Sequence, residues 1–321
     1  MIKRHHLILA GVLVAQIVLS VVVFWPRAST AGQSEPLFPD LEAEDITALT
    51  IEDGEGNVIR LTQVAGEWVL PDAGDYPAQG DAVTSFLDKL LAVSTGRLVT
   101  QSDTSHKRLQ VAPDEFVRRI SFETADGTKE TLYLGSSPQF GAMHFRQEGQ
   151  SETYLTSELT SFDANASASA WIDTSYQSMT QEDVTRMTLE NSKGTLVFEK
   201  DSEGNWTLAD LAEDETLDET QVTSLLRRAA VVTMKAPLGR EGQSSYGMDD
   251  PNAVVTLETG DKTVTLRVGA KDDEAASYVV KSTESAYYVQ VAESSVRALV
   301  ENGRDAFLQE PPTPAAETSD S

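Results

Sequence analysis

The chain has 321 residues, 40% of them hydrophobic, which suits about two ordinary domains of ~150 residues each. Its 51 acidic side chains outnumber 25 basic ones, giving a formal net charge of −26, and a field of that sign argues against binding to nucleic acid or to anionic lipid head groups. The lack of cysteine excludes disulfides, thiolate metal sites, cysteine nucleophiles and a lipoprotein anchor.

The N-terminal segment predicts a membrane anchor. Residues 1–6 are short and basic, and residues 7–25 are a run of 19 residues with only two polar side chains. As a helix this run would cross a hydrocarbon core of roughly 30 Å. We therefore predict a cytoplasmic stub at 1–6 and a single transmembrane helix at 7–25 in the inner membrane, with the bulk of the chain in the periplasm. A cleaved signal peptide is the alternative, because Ser29-Thr30-Ala31 offers a small-residue cleavage site.

The composition of the rest of the chain predicts a stalk, two folded modules and a tail. Residues 26–44 are rich in proline, small and acidic side chains, which is typical of an extended linker. We place the first module at 45–176 and the second at 177–309. Residues 310–321 carry proline, alanine and acidic side chains and predict a disordered tail.

The two modules repeat one pattern. Each opens with alternating apolar residues and a turn, which predicts a β-hairpin. A tryptophan follows at the same distance in both copies, from Ile46 to Trp68 and from Val184 to Trp206. We expect both tryptophans to be buried against a sheet, because each covers a large apolar area. An order of elements that recurs in this way favours a tandem repeat over chance.

A helix and a second hairpin complete each copy. The helical stripes occur at Val83, Phe86, Leu87, Leu90 and Leu91 and at Val222, Leu225, Leu226, Ala229 and Ala230, with Asp81 and Asp218 as predicted N-caps. Alternating segments at 116–124 with 131–135, and at 253–259 with 264–269, predict the second hairpins. Trp171 and Phe307 close the two copies.

These elements predict an α+β fold class. The expected architecture is an N-terminal transmembrane helix followed by two tandem modules, each of antiparallel strands with one or two packed helices.

The pattern resembles the family catalogued as domain of unknown function 4340. The resemblance lies in an N-terminal apolar segment, a strand–turn–strand ending in Gly-x-Trp-x-Leu, and a helix before a second hairpin. The motif reads Gly66-Glu67-Trp68-Val69-Leu70 in the first copy and Gly204-Asn205-Trp206-Thr207-Leu208 in the second. The resemblance implies an envelope component found beside ABC-type export systems of the gliding-motility kind, with no catalytic residues to transfer.

The sequence offers few candidates for chemistry. Of four histidines, His5 and His6 lie beside the apolar run, and His106 and His144 stand singly, so no helical metal pair is available. We therefore predict no catalytic residue, no metal ligand and no cofactor.

Carboxylates are abundant but not arranged in a recognisable site. The segments 53–57 and 201–205 faintly resemble calcium loops, but they lie between short strands and predict hairpin turns. The clusters 213–215 and 272–274 predict solvated loops.

We predict a non-enzymatic, membrane-anchored periplasmic accessory protein, a subunit or scaffold of an ABC-type transport or envelope assembly. Its expected partner is an integral-membrane protein such as an ABC-type permease. The alternative is an envelope module that binds a polysaccharide or peptide in a groove between the repeats, with Tyr246, Tyr287 or Tyr288 as exposed aromatic contacts. A carboxylate-dependent envelope hydrolase ranks last, because nothing singles out a pair of acids.

Overall fold

The computed structural model describes residues 34–309. The predicted cytoplasmic stub, the apolar segment 7–25, the first part of the stalk and the tail 310–321 therefore lie outside the described residues. Between Ser34 and Gln309, no helix has both the length and the apolar character needed to cross a membrane.

The described chain contains three α-helices and many short strands. The helices are α1 (Gly80–Leu91), α2 (Glu219–Ala230) and α3 (Glu293–Glu301). Strands of the first half are β1 (Ile46–Asp53), β2 (Val58–Val64), β3 (Glu67–Leu70), β4 (Tyr76–Pro77), β5 (Leu98–Thr100), β6 (Val111–Ala112), β7 (Glu115–Phe116), β8 (Arg118–Thr124), β9 (Lys129–Leu134), β10 (Met143–Gln147) and β11 (Thr153–Thr156). Strands of the second half are β12 (Ser175–Ser178), β13 (Arg186–Asn191), β14 (Gly194–Lys200), β15 (Trp206–Leu208), β16 (Val231–Thr233), β17 (Ala236–Gly239), β18 (Ala253–Glu258), β19 (Thr263–Asp272), β20 (Ser277–Ser282) and β21 (Tyr288–Ala292).

Two large antiparallel sheets share one strand order. The first has nine strands in the order β4-β3-β2-β1-β8-β9-β10-β11-β5, and the second has eight in the order β15-β14-β13-β18-β19-β20-β21-β17. Aligning β3 with β15 matches each later strand of the first sheet to its counterpart in the second. The duplication read from the sequence therefore extends to the strand order.

The chain divides into two compact units. The first unit comprises residues 34–45, 86–120 and 130–164 of the described chain. A small core in it joins Leu109, Val111 and Tyr133, against which Phe116 packs with ring centroids 5.9 Å from Tyr133. This core holds the connection after β5 against β9.

The second unit comprises residues 46–85, 121–129 and 165–309 of the described chain. Its core includes the edge-to-face pair of Phe198 and Phe307, whose ring centroids are 5.1 Å apart. Trp68 and Trp206 are both buried in the structure, as predicted. Burial of large aromatic side chains contributes strongly to core stability.

Local sequence patterns predicted the long hairpins correctly. β1 pairs with β2 so that Leu49 faces Leu61, and β13 pairs with β14 so that Leu189 faces Leu196. These four leucines are buried, because residues opposite each other in an antiparallel pair share one face of the sheet.

The predicted fold class is wrong. Between residues 34 and 309 the protein is mostly antiparallel β-sheet with three short α-helices, not a set of helix-packed α+β modules, and the described part holds no helix able to cross a membrane. The physical reason is that most of the strands that the sequence did not predict have two to four residues, which is too few to show alternation. Many of them also pair with partners that are distant in the sequence. Strand β12, for example, pairs with β16.

Candidate functional site

Both histidines in the described residues make hydrogen bonds to the backbone. Nδ1 of His144, on β10, lies 2.7 Å from the carbonyl oxygen of Ser136, and Nε2 of His106 lies 3.0 Å from that of Ser151. The other two histidines precede residue 34. Within residues 34–309, no group of three or more His, Cys, Asp or Glu side chains is placed to hold a metal ion. His144 and His106 thus fasten loops to the first unit.

The calcium-like segments are closed turns. Oδ1 of Asp53 accepts the backbone N–H groups two and four residues later at 3.0 and 2.9 Å, and Oδ1 of Asp201 does the same at 2.8 and 3.0 Å. Gly56 and Gly204 each adopt a φ of +89°, which favours glycine. The backbone donors hold the pKa of Asp201 below its usual range. These carboxylates therefore stabilise turns, as the hairpin interpretation predicted.

The acidic segment 213–215 is tied to a distant arginine. Arg304 donates to the Glu215 carboxylate and, at 2.7 Å, to that of Asp210. Oε2 of Glu215 also accepts the backbone N–H of Ala212 at 3.0 Å. The hydrogen bond from Arg304 lowers the pKa of Glu215. Sequence reasoning treated this segment as a solvated loop and had no signal for the partner that lies 89 residues away.

The acidic segment 272–274 borders a cavity of about 430 Å³. Lys271, Ser277 and Gln290 also line it. The Lys271 ammonium lies 3.0 Å from the Asp273 carboxylate and 3.3 Å from that of Glu293, and these hydrogen bonds raise the pKa of Lys271. A lysine held in its charged form is a poor base or nucleophile. The lining of the cavity therefore offers charged and polar contacts.

The tyrosines proposed as an aromatic platform are mostly inside the protein. Tyr246 and Tyr287 are each 8% exposed, and Tyr288 is half-buried. The Tyr287 hydroxyl donates to the carbonyl oxygen of Asp75 at 3.1 Å and accepts from Arg240 at 2.5 Å. Its hydrogen-bonding capacity is used within the second unit. The ligand-groove alternative thus lacks two of its three exposed aromatic contacts.

The first unit also contains a buried arginine. Arg146 is 4% exposed, donates from Nε to the carbonyl oxygen of Val111 at 2.8 Å, and places its guanidinium 4.8 Å from the ring centroid of Tyr133. The Tyr133 hydroxyl in turn donates to Glu148 at 2.8 Å. Burial lowers the pKa of Arg146 and raises that of Tyr133. Sequence reasoning missed this network, which joins β6, β9 and β10.

The open edge of the first sheet is the candidate binding surface. Among residues 34–309, strand β5 is the last in its sheet and pairs with β11, with an irregular register between Thr153 and Tyr154. Its first two side chains are apolar and exposed, Leu98 by 51% and Val99 by 44%. We call Leu98, Val99 and Thr100 the β5 edge. An unprotected strand edge offers backbone donors and acceptors to which an extended partner segment can pair.

Comparison with known proteins identifies the family. Residues 68–236 match the family described as "Domain of unknown function (DUF4340)", and this span is more than half of the chain. The chain belongs to this family. No curated protein and no solved structure matches the chain.

The DUF4340 span contains part of the features on which the sequence resemblance was based, and the apolar segment 7–25 and Gly66 lie outside it. It runs from Trp68 to the start of β17 and includes α1, α2 and the second Gly-x-Trp-x-Leu segment. The family resemblance is thereby confirmed. The span also contains the β5 edge, which sequence reasoning missed because three residues are too few for a recognisable alternation.

Proposed function

We propose that this DUF4340 protein is a non-enzymatic accessory subunit or scaffold that acts in the periplasm, at the inner membrane, through protein contacts. The partner we propose is an integral-membrane protein such as an ABC-type permease, in keeping with the context that the family resemblance implies. The observation that carries the proposal is the β5 edge, with exposed apolar side chains on a strand that ends its sheet within residues 34–309.

Strand geometry explains why this edge suits a protein partner. Leu98 and Val99 are both exposed on this strand, and its register against β11 is irregular beside them, so they offer two apolar contacts at the edge of the sheet. Natural edges are commonly blunted by charge, proline or coverage, because an open edge recruits other strands. A three-residue edge gives a weak contact by itself, and holding both proteins at one membrane raises its effective concentration.

The fate of the reactive side chains favours binding over catalysis. Asp53 and Asp201 close turns, Glu215 holds Arg304, and His144 holds the chain at Ser136. Groups engaged in this way contribute to folding and are poorly placed to exchange protons with a substrate.

The proposal predicts that a charge on the β5 edge will abolish partner binding. We would compare Val99→Lys with Val64→Lys in the tagged full-length protein, cross-linked in intact membranes and analysed by mass spectrometry. Val64 is a matched control, because it is 46% exposed against 44% for Val99, but its strand β2 lies inside the same sheet. A lysine on an edge discourages strand pairing.

We expect wild type and Val64→Lys to recover the same membrane protein, and Val99→Lys to recover little of it at equal abundance. Recovery from Val99→Lys at the wild-type level would reject the β5 edge as the contact. If the wild-type protein recovers no membrane partner despite efficient cross-linking, the accessory role itself is wrong.

A further inference from the structure

We propose that the end of the first unit that carries Phe140 and Phe162 lies against the surface of a lipid bilayer. These two phenylalanines are 103% and 88% exposed, the highest values among the exposed large hydrophobic residues in the described chain. Exposed apolar residues are ordinary singly, but fully exposed aromatic side chains on the tips of neighbouring loops indicate a surface that is covered in use.

Strand register places both phenylalanines at one end of the sheet. Met143 begins β10 and pairs with Thr156, which ends β11. Phe140 comes three residues before Met143, and Phe162 comes six residues after Thr156. The loops that carry them therefore leave the same end of this strand pair.

The loop of Phe162 is fixed with this side chain outside. Leu159 is fully buried, and the carboxylate of Asp163 accepts from the Thr160 backbone N–H at 2.9 Å, from the Thr160 hydroxyl at 2.6 Å and from Lys89 Nζ at 2.5 Å. These contacts hold the residues on both sides of Phe162. The exposure of Phe162 is therefore a consequence of a turn that these hydrogen bonds hold in place.

Phe140 occupies the tip of a tight turn. The backbone N–H of Ala142 donates to the carbonyl oxygen of Gln139 at 3.1 Å, and the Ser137 hydroxyl donates to the same oxygen at 2.7 Å. Gly141 has a φ of +72°, a conformation that an L side chain rarely adopts. The turn therefore presents Phe140 to the outside in a defined position.

The described chain also begins at this end. The Ser34 hydroxyl donates to the Ser94 hydroxyl at 2.8 Å, close to the start of β5. The carbonyl oxygen of Arg97 accepts the N–H of Leu155 at 2.9 Å, one residue before the end of β11. Ser34 follows shortly after the apolar run of residues 7–25. Ser34 thus lies at the end of the β10–β11 pair from which the loops of Phe140 and Phe162 leave.

Charge determines which lipid surface fits. A net charge of −26 repels anionic head groups, so the surface we propose is zwitterionic. Asp163, the acid nearest in sequence to Phe162, is paired with Lys89, which limits repulsion at this end. Aromatic side chains favour the boundary between head groups and acyl chains, where an apolar ring is partly removed from water.

The test uses the cysteine-free full-length chain. Phe140→Cys, Phe162→Cys and Gln150→Cys each carry one environment-sensitive fluorophore and are mixed with phosphatidylcholine vesicles, with or without a quencher on the acyl chains. Gln150 is the control, because it is exposed and lies in the β10–β11 turn at the opposite end of those strands. Each phenylalanine variant keeps the other phenylalanine in place.

We expect loss of emission with quencher lipids at positions 140 and 162 and none at 150, with aqueous iodide giving the reverse order. Equal quenching at all three positions, or none at any, would overturn the proposal. Protection of 140 and 162 in native membranes but not in vesicles would assign this surface to a protein partner and would also overturn it. The result is independent of the β5 edge, since pure lipid vesicles contain no partner.

Discussion

The side chain of Tyr133 is expected to make the stability of the protein depend on pH. Burial and the hydrogen bond to Glu148 raise the pKa of Tyr133 to about 12, whereas the pKa of a tyrosine in the unfolded chain is about 10. Above the unfolded value the folded protein keeps a proton that the unfolded chain has lost. The resulting stabilisation is complete below the unfolded value and is lost as the pH rises through the folded value.

We therefore expect Tyr133→Phe to remove part of the alkaline loss of stability. The measurement is urea unfolding at a series of pH values from neutral to strongly alkaline, with the ultraviolet absorbance of tyrosinate recorded in parallel. Glu148→Gln is the second variant, and it should bring the titration of Tyr133 closer to its ordinary value, because it removes the carboxylate that holds the hydroxyl proton. Parallel stability curves for wild type and Tyr133→Phe would contradict this prediction.

The two repeated helices differ in how they begin, and this difference is testable. Oδ1 of Asp218 accepts the N–H groups of Thr220 and Gln221 at 3.0 and 3.3 Å, so it caps α2 as predicted. Asp81, predicted to cap α1, instead lies within its first turn, because the helix already begins at Gly80. A residue inside the first turn can favour the helix dipole but does not take the capping position.

Asp218→Ala is expected to lower the free energy of unfolding by about 1 kcal/mol, the usual cost of losing an N-cap. Asp81→Ala should lower the free energy of unfolding by only a few tenths of a kcal/mol, since only the interaction with the helix dipole is lost. Denaturant unfolding of both variants measures the difference, and Asp218→Asn should restore most of the loss, because an amide oxygen can also cap. Equal effects of the two alanine variants would mean that capping does not explain the difference.

Sequence reasoning succeeded where an element is defined by its own residues. The β1–β2 and β13–β14 hairpins show alternation around a turn, and α1 and α2 show helical stripes, so each is visible within a short window. It failed where a strand exists only because a distant partner pairs with it. Strand β5, for example, exists because Leu98 and Thr100 pair with Tyr154 and Thr153 of the distant β11, and three residues carry no pattern of their own.

The same limit applies to the candidate surfaces of the whole molecule. Phe140 and Phe162 look like ordinary core residues in the sequence, and only the turns around them place them outside. Tyr246 and Tyr287 present the reverse case, since they lie in polar surroundings of the sequence but are buried. Exposure is a property of the folded chain, so it could not be read from residue type.

Net charge is a property of the whole molecule, and it affects the stability of the folded state. With 51 acidic and 25 basic side chains, self-repulsion opposes the compact state. Ion pairs such as that of Arg60 with Asp72 at 2.7 Å are exposed, and exposed pairs contribute little. Added salt should therefore screen more repulsion than attraction, since the Debye length shrinks to about 10 Å at 0.1 M.

We expect the thermal midpoint to rise by a few degrees, roughly 2–4 °C per kcal/mol of relieved repulsion, as sodium chloride is added. The double variant Glu213→Gln with Asp214→Asn removes two exposed negative charges and should respond less to salt than wild type. Sodium chloride is preferred to sulfate here, because sulfate strengthens apolar burial whatever the charge. A midpoint that falls with sodium chloride would mean that attractive pairs outweigh the net field, and the acidic surface would then be organised as a stabilising network.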